Sequence, residues 1–286
     1  MKPAPFDYHA PGTIEQALEL LHAHADARVL AGGQSLIPMM NFRLAAPAVV
    51  IDLNRIPSLA YIEDDGAVVR IGAMTRQRAI EFSPIVAEKL PLLGEAIKLV
   101  GHLPTRSRGT IGGSIANADS AAEIPMVLQV LEGEVAARGP NGQRTIAAAD
   151  LFQDAMTTAL APDEILTEVR LPVMPRGAGY AVEEFARRHG DFAIAAVAVM
   201  IVRNGEGCAK ARIATAGIET HSSRLHAAEA ILEQQGLSEK TIADAAGKAA
   251  ETVQPMTDHN ASTDYRRQLT GVLTERALKR AAAAAR

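Results

Sequence analysis

The residues in this sequence best suited to chemistry are glycines. Ala31-Gly32-Gly33-Gln34-Ser35-Leu36 and Thr110-Ile111-Gly112-Gly113-Ser114 are two Gly-Gly segments eighty positions apart, each reached from an apolar or β-type run and each opening toward a helical pattern. Glycine lacks a Cβ and takes positive φ readily, so consecutive N–H groups can converge on an anion, and a following helix N-terminus adds its positive end. A diphosphate is the natural guest of two such nests. Neither segment has the G-x-G-x-x-G or G-x-x-x-x-G-K-[ST] spacing of the common nucleotide loops, and Gly-Gly pairs are also ordinary turns, so spacing alone leaves both readings open.

Other candidate chemistry is sparse. Asp119 and Glu123 follow the second segment, where a carboxylate could accept hydrogen bonds from sugar hydroxyls or simply cap a helix. Arg187-Arg188-His189-Gly190-Asp191 could hold an anion or relay a proton, although charged loops between strands are usually solvated. Glu183-Glu184 reads as strand surface for the same reason. His22 and His24, two apart on a helix, face different ways and make a poor metal pair. Cys208 opens an apolar strand and is expected to be a buried small hydrophobe. No Ser-His-Asp or Cys-His arrangement can be picked out.

Composition narrows the classes further. One cysteine cannot supply the set of thiolates that an iron-sulfur cluster or a structural zinc needs, so neither is expected on this chain alone. A net charge of −4, 4 Tyr, 6 Phe and no Trp leave few cations and few stacking platforms, which argues against nucleic acid as a partner. No stretch approaches the roughly 20 apolar residues of a membrane span, and Met1-Lys2-Pro3-Ala4-Pro5 leads into polar sequence, so the expected compartment is a reducing cytoplasm.

The elements that must position these residues follow from periodicity. Thr13-Ile14-Glu15-Gln16 has the form of a capping box, with Ile14, Ala17, Leu18 and Leu21 at helical spacing behind it. Arg28-Val29-Leu30-Ala31 is a short apolar run, Gln34 to Met40 predicts a helix, and Val49 to Leu53 a buried strand. Hairpins are predicted around Asp64-Asp65-Gly66 and Pro140-Asn141-Gly142, helices at about 75–82 and 92–100, and a strand over 165–171. Pro172 to Gly177 is the best linker. Beyond it, 181–203 and 208–218 predict two or three strands, and 223–235, 239–252 and 264–284 predict helices.

Taken together, the motifs resemble one family. Ala31 to Leu36, then Arg108-Gly109-Thr110-Ile111-Gly112-Gly113-Ser114 with Ala118-Asp119 and Glu123-Ile124-Pro125, then Arg187-Arg188-His189-Gly190-Asp191-Phe192-Ala193, are similar in order and spacing to the FAD-binding medium subunit of molybdenum hydroxylases. These are the carbon monoxide dehydrogenase, quinoline oxidoreductase and xanthine dehydrogenase relatives. The likeness runs from Phe6-Asp7-Tyr8 to Asp264-Tyr265-Arg266-Arg267.

The resemblance implies an α+β fold. A two-lobed FAD-binding domain of the vanillyl-alcohol oxidase/p-cresol methylhydroxylase type would occupy 1–175, with lobes of about 1–56 and 57–175. A C-terminal domain of a three-stranded sheet with a helical bundle would occupy 176–286. Residues 31–35 and 110–114 would wrap the FAD diphosphate by backbone N–H groups. Glu123 would sit near ribityl or sugar hydroxyls, Leu166 would line the flavin, and Asp191-Phe192 falls where some relatives place a Tyr against the isoalloxazine. Gln34 and Ser114 replace the His and Asn of some relatives, and His102-Leu103-Pro104-Thr105-Arg106-Ser107 departs from the family's Gln-x-Arg-Asn pattern. The implied function is electron transfer within a complex, with two iron-sulfur clusters on a small subunit, molybdopterin and molybdenum on a large one, and a dimer of heterotrimers as the assembly. A stand-alone flavin oxidase of the same FAD-fold superfamily is the alternative.

Overall fold

The computed structural model describes residues 1–286. Its first lobe is a three-stranded parallel sheet with Val49–Asp52 between Asp7–His9 and Ala27–Leu30. The central strand is buried along its whole length, as its unbroken apolar run requires. Helix Ile14–Ala23 covers the sheet with Ile14, Ala17 and Leu21. Its start is capped reciprocally: the Gln16 N–H donates to Thr13 Oγ1 at 3.3 Å, and the Gly12 N–H donates to Gln16 Oε1 at 3.0 Å.

The second lobe is a five-stranded antiparallel sheet in the order Ile62–Asp64, Val68–Gly72, Ile165–Pro172, Glu134–Gly139, Gly142–Ala147. Both predicted hairpins form. The strand last in sequence lies in the middle, paired with Val68–Gly72 on one side and Glu134–Gly139 on the other. The helices predicted at about 75–82 and 92–100 form as the shorter Gln77–Glu81 and Pro91–Ala96, and Pro84–Lys89, which was not predicted, lies between them; Pro84 and Pro91 each begin a helix. Leu103–Arg108, Ile111–Asn117 and Glu123–Val130 follow, the last buried on every side.

After Pro172 the chain forms strands Gly179–Phe185, Ala195–Asn204 and Gly207–Ala216, the expected three, joined by a fourth of two residues, Ser223–Arg224. Helices His226–Gln235, Glu239–Thr252 and Thr263–Ala284 pack on one face through Val197, Val199, Ile201 and Ile213. The opposite face, through Val182, Ala196, Ala198, Met200 and Ala214, joins the core of the second lobe. No helix is long and apolar enough to cross a membrane.

Candidate functional site

The two glycine segments touch. A Cβ on Gly32 would overlap the Arg108 carbonyl oxygen and lie 2.7 Å from Gly109 Cα, and a Cβ on Gly113 would lie 3.2 Å from Ala31 Cβ. Gly33 adopts φ +74°, a conformation that side chains resist. Glycine is therefore needed in the first segment for close approach at Gly32 and for the backbone turn at Gly33.

A chain of polar side chains holds both segments from behind. Asp52, at the end of the buried central strand, accepts from Tyr8 Oη at 2.6 Å, from the Asn54 N–H at 2.8 Å, and from Asn54 Nδ2. Asn54 Nδ2 also donates to the Ala31 carbonyl at 2.9 Å, and Asn54 Oδ1 accepts from Arg76 Nη2 at 2.5 Å. Arg76 Nη1 donates to the Arg108 carbonyl. One carbonyl from each segment is thus drawn toward Asn54 and Arg76. A cavity of about 560 Å³ opens beside these two residues, lined also by Leu53, Ile56, Met74 and Thr75.

The amides of the two segments differ. The N–H groups of Gly32, Gly33, Gln34, Ser35 and Leu36 donate no hydrogen bond within the chain. In the second segment, by contrast, Ile111 donates to the Thr75 carbonyl at 3.1 Å, Gly112 to Ala73 at 2.9 Å, and Ser114 to the Thr110 carbonyl at 3.1 Å. The Gly113 N–H donates to Thr110 Oγ1, also at 3.1 Å. The second segment thus leaves only the Thr110 N–H without an internal acceptor, where a full row of such groups is expected. Gly112 and Gly113 lie inside helix Ile111–Asn117, capped by Thr110, rather than in an open turn. A Cβ on Gly112 would lie 2.5 Å from Ala73 Cβ, so this glycine lets the helix pack against the end of the interior strand Val68–Gly72.

Past this helix, Ala118 ends it in the left-handed conformation, φ 50°, and Asp119 Oδ1 accepts from the Ala121 N–H at 3.0 Å. Glu123 begins the next helix and is only 7% exposed. Burial, reinforced by the Glu184 charge, pushes its carboxyl up to about 8. Glu184 is a correction, because it is not solvated strand surface. It pairs with Ala196 on the sheet face that meets the second lobe, and its Oε2 is buried without a partner. Burial pushes this carboxyl up to about 7.

Leu166 is buried in the second-lobe core, beside a bulge between Leu166 and Glu168. The segment after Gly179–Phe185 closes where the Ile194 N–H donates to the Phe185 carbonyl at 2.8 Å, and it carries Asp191 and Phe192 on its far side. Phe192 is 69% exposed. Cys208 is buried, and burial pushes its thiol up to about 11. No group of three or more His, Cys, Asp or Glu is placed to hold a metal ion.

Asp52, Asn54 and Arg76 were not singled out from sequence. Asp52-Leu53-Asn54 directly after a buried strand was the available signal, since an Asx residue at a strand end commonly organises the turn that follows.

The chain matches two family profiles in succession: "FAD binding domain in molybdopterin dehydrogenase" over residues 4–174 and "CO dehydrogenase flavoprotein C-terminal domain" over residues 180–281. It is 40% identical to the 6-hydroxypseudooxynicotine dehydrogenase complex subunit alpha of Paenarthrobacter nicotinovorans, covering 98% of this chain and 96% of that one. It is 39% identical to the carbon monoxide dehydrogenase medium chain of Afipia carboxidovorans, covering all of both. Among solved structures, a carbon monoxide dehydrogenase from Hydrogenophaga pseudoflava that lacks the Mo-pyranopterin moiety superposes with a TM-score of 0.98 at 39% identity, over 100% of each chain. Quinoline 2-oxidoreductase from Pseudomonas putida 86 does so with 0.94 at 33%, over 99% of each.

Proposed function

The chain belongs to the family of FAD-binding medium subunits of multi-subunit molybdenum hydroxylases, and on that premise we propose that it carries electrons from the iron-sulfur clusters of a small partner subunit to an external acceptor. The bound FAD supplies the redox chemistry, and the protein supplies binding, orientation and shielding. The observation that carries the reading is the row of free amides from Gly32 to Leu36, beside a second segment pressed against it at Gly32 and Gly113. Such a row suits an anionic diphosphate, because each N–H carries partial positive charge and no internal acceptor competes.

Within that site Ala31 to Leu36 hold the diphosphate, and Thr110 to Ser114 form the wall that keeps the first segment in place. Glu123, with Asp119 and Ala118 before it, faces the cofactor's hydroxyls. Leu166 supplies apolar lining, and Asp191-Phe192 brings an aromatic ring against the flavin. Stacking of that ring excludes water without adding a hydroxyl. The FAD domain spans 1–175, in lobes of about 1–56 and 57–175, and the C-terminal domain spans 176–286. The partners are a small iron-sulfur subunit and a large molybdopterin subunit in a cytoplasmic dimer of heterotrimers.

The test is purification of the chain alone and after co-expression with its two partners. FAD bound in one-to-one ratio by the chain, lost in Gly33→Val, and co-elution with both partners are expected. A chain that turned over an organic substrate alone would support the stand-alone oxidase instead, and one that ignored added FAD would refute both readings.

A further inference from the structure

Two sequence features set apart above meet in space. His102 opens the segment that departs from the family pattern, and Gly190 lies in the Arg187-to-Phe192 loop of the C-terminal sheet. The loop backbone at Gly190 lies directly on the His102 imidazole: a Cβ there would overlap Cε1 and lie 2.6 Å from Nδ1 and 2.8 Å from Nε2. Gly190 is also at φ +84°, so it needs glycine for the turn as well as for the approach. The His189 ring adds a second contact, with its centroid 6.2 Å from that of His102 and the planes at 64°.

The helix that carries this seat is firmly held, while the His102 side chain itself is exposed and makes no capping hydrogen bond. His102 is the N-cap of helix Leu103–Arg108. Arg106 of that helix donates to the Val100 and Gly101 carbonyls at 3.0 and 3.1 Å, and Arg106 Nε pairs with Glu81 at 3.0 Å, both side chains largely buried. The Asp191 N–H donates to the Arg188 carbonyl at 3.1 Å and tightens the loop tip. Phe192 follows two residues after Gly190 and, being 69% exposed, has little packing of its own to fix it. Where the tip lies is thus set by what Gly190 rests on.

We propose that His102 is a positioning residue: its imidazole is the seat on which the 187–192 loop rests, and through that loop it holds Phe192 over the flavin. The proposal rests on the reading that Phe192 lies against the flavin. Without the ring the loop tip has no floor on the FAD-domain side, and Phe192 swings free of the cofactor's edge.

The test uses the full chain loaded with FAD and measures quenching of flavin fluorescence by iodide, with FAD stoichiometry measured alongside. Phe192→Ala and His102→Ala each raise the quenching constant roughly fivefold, the population shift that about 1 kcal/mol of lost contact produces. The double variant rises no further than Phe192→Ala alone. His102→Gln, which keeps a flat group under Gly190, stays near the wild-type value, whereas Gly190→Ala, which drives a methyl into the ring, resembles His102→Ala. FAD stoichiometry stays unchanged in His102→Ala, His102→Gln and Gly190→Ala. A His102→Ala chain that quenches like wild type while Phe192→Ala does not would overturn the proposal and leave the Phe192 reading intact. An unchanged Phe192→Ala would overturn both. Loss of FAD in His102→Ala would overturn it as well, by placing His102 in cofactor binding itself.

Discussion

Replacing Gly32 with alanine adds one methyl group at the tightest point between the two segments. The new Cβ would overlap the Arg108 carbonyl oxygen and lie 2.7 Å from Gly109 Cα. Ordinary carbon–carbon contact is about 3.5 Å, so the segments must part by roughly 0.8 Å. That movement strains two hydrogen bonds, from Asn54 Nδ2 to the Ala31 carbonyl and from Arg76 Nη1 to the Arg108 carbonyl. Losing a neutral bond costs about 1 kcal/mol and a charge-assisted one about 1.5–3 kcal/mol. The sum, about 3 kcal/mol, can fall on folding, on FAD binding, or on both. If it falls on binding, FAD affinity drops roughly a hundredfold. Titration of the apo chain with FAD, paired with the Tm of the apo form, separates the two. Gly66→Ala is the control, because nothing lies within 4 Å of its Cβ position; its φ of +78° adds a backbone cost that Gly32 does not carry. It should lose about 1 kcal/mol of stability and no FAD affinity. A Gly32→Ala chain with wild-type affinity and wild-type Tm would refute the claim that the contact is tight.

Three further outcomes are expected. Asn54→Ala removes the donor that holds the Ala31 carbonyl and the acceptor for Arg76, and should weaken FAD binding roughly tenfold while leaving the secondary structure seen by circular dichroism intact. Glu123 has a folded-state value near 8 against an ordinary 4.5, so the folded chain holds a proton that the unfolded chain has released. Stability is therefore complete below pH 4.5, falls as pH rises toward 8, and by pH 7 has lost up to about 3 kcal/mol. Glu123→Gln should flatten the alkaline side of a Tm-against-pH curve of the apo chain, and an unchanged curve would count against the buried carboxyl. Cys208, buried with its thiol pushed up to about 11, should resist a disulfide reagent at pH 8 in the folded chain and react at once in denaturant.

How much of this was readable without coordinates depends on the range of the interaction. Thr13-x-x-Gln16 and the hairpins at Asp65-Gly66 and Asn141-Gly142 are local devices, and they formed where the sequence placed them. The three C-terminal helices were legible for the same reason. Glu184 was misread because its neighbours in sequence cannot report that a second lobe covers its face of the sheet; only the pairing of Glu184 with Ala196, on the face that includes Ala198 and Met200, shows it. Between 77 and 96 the helices predicted at about 75–82 and 92–100 form in shortened versions, and Pro84–Lys89, a single short helix begun by Pro84 and capped by Ser83, has too few residues to show a helical period in the sequence.

The two Gly-Gly segments look alike in sequence and do different work, and the difference follows from what precedes each. Leu30 ends a parallel strand whose partner is already the buried Val49–Asp52, so nothing beyond it competes for the amides from Gly32 to Leu36. Thr110 instead starts a helix, and the Ala73 and Thr75 carbonyls take the amides of Gly112 and Ile111. With their amides engaged inside the chain, Gly112 and Gly113 serve close packing: one against Ala73, one against Ala31. It follows that the same change, glycine to alanine, should act on different properties in the two places. At Gly112 it should lower the Tm of the apo chain without a direct effect on the free amides, because the clash is with Ala73; at Gly33, where φ is +74° and the amides are free, it should lower FAD affinity in addition to the stability that a side chain at positive φ costs. Equal effects of Gly33→Ala and Gly112→Ala on both measurements would show that the segments share one role after all.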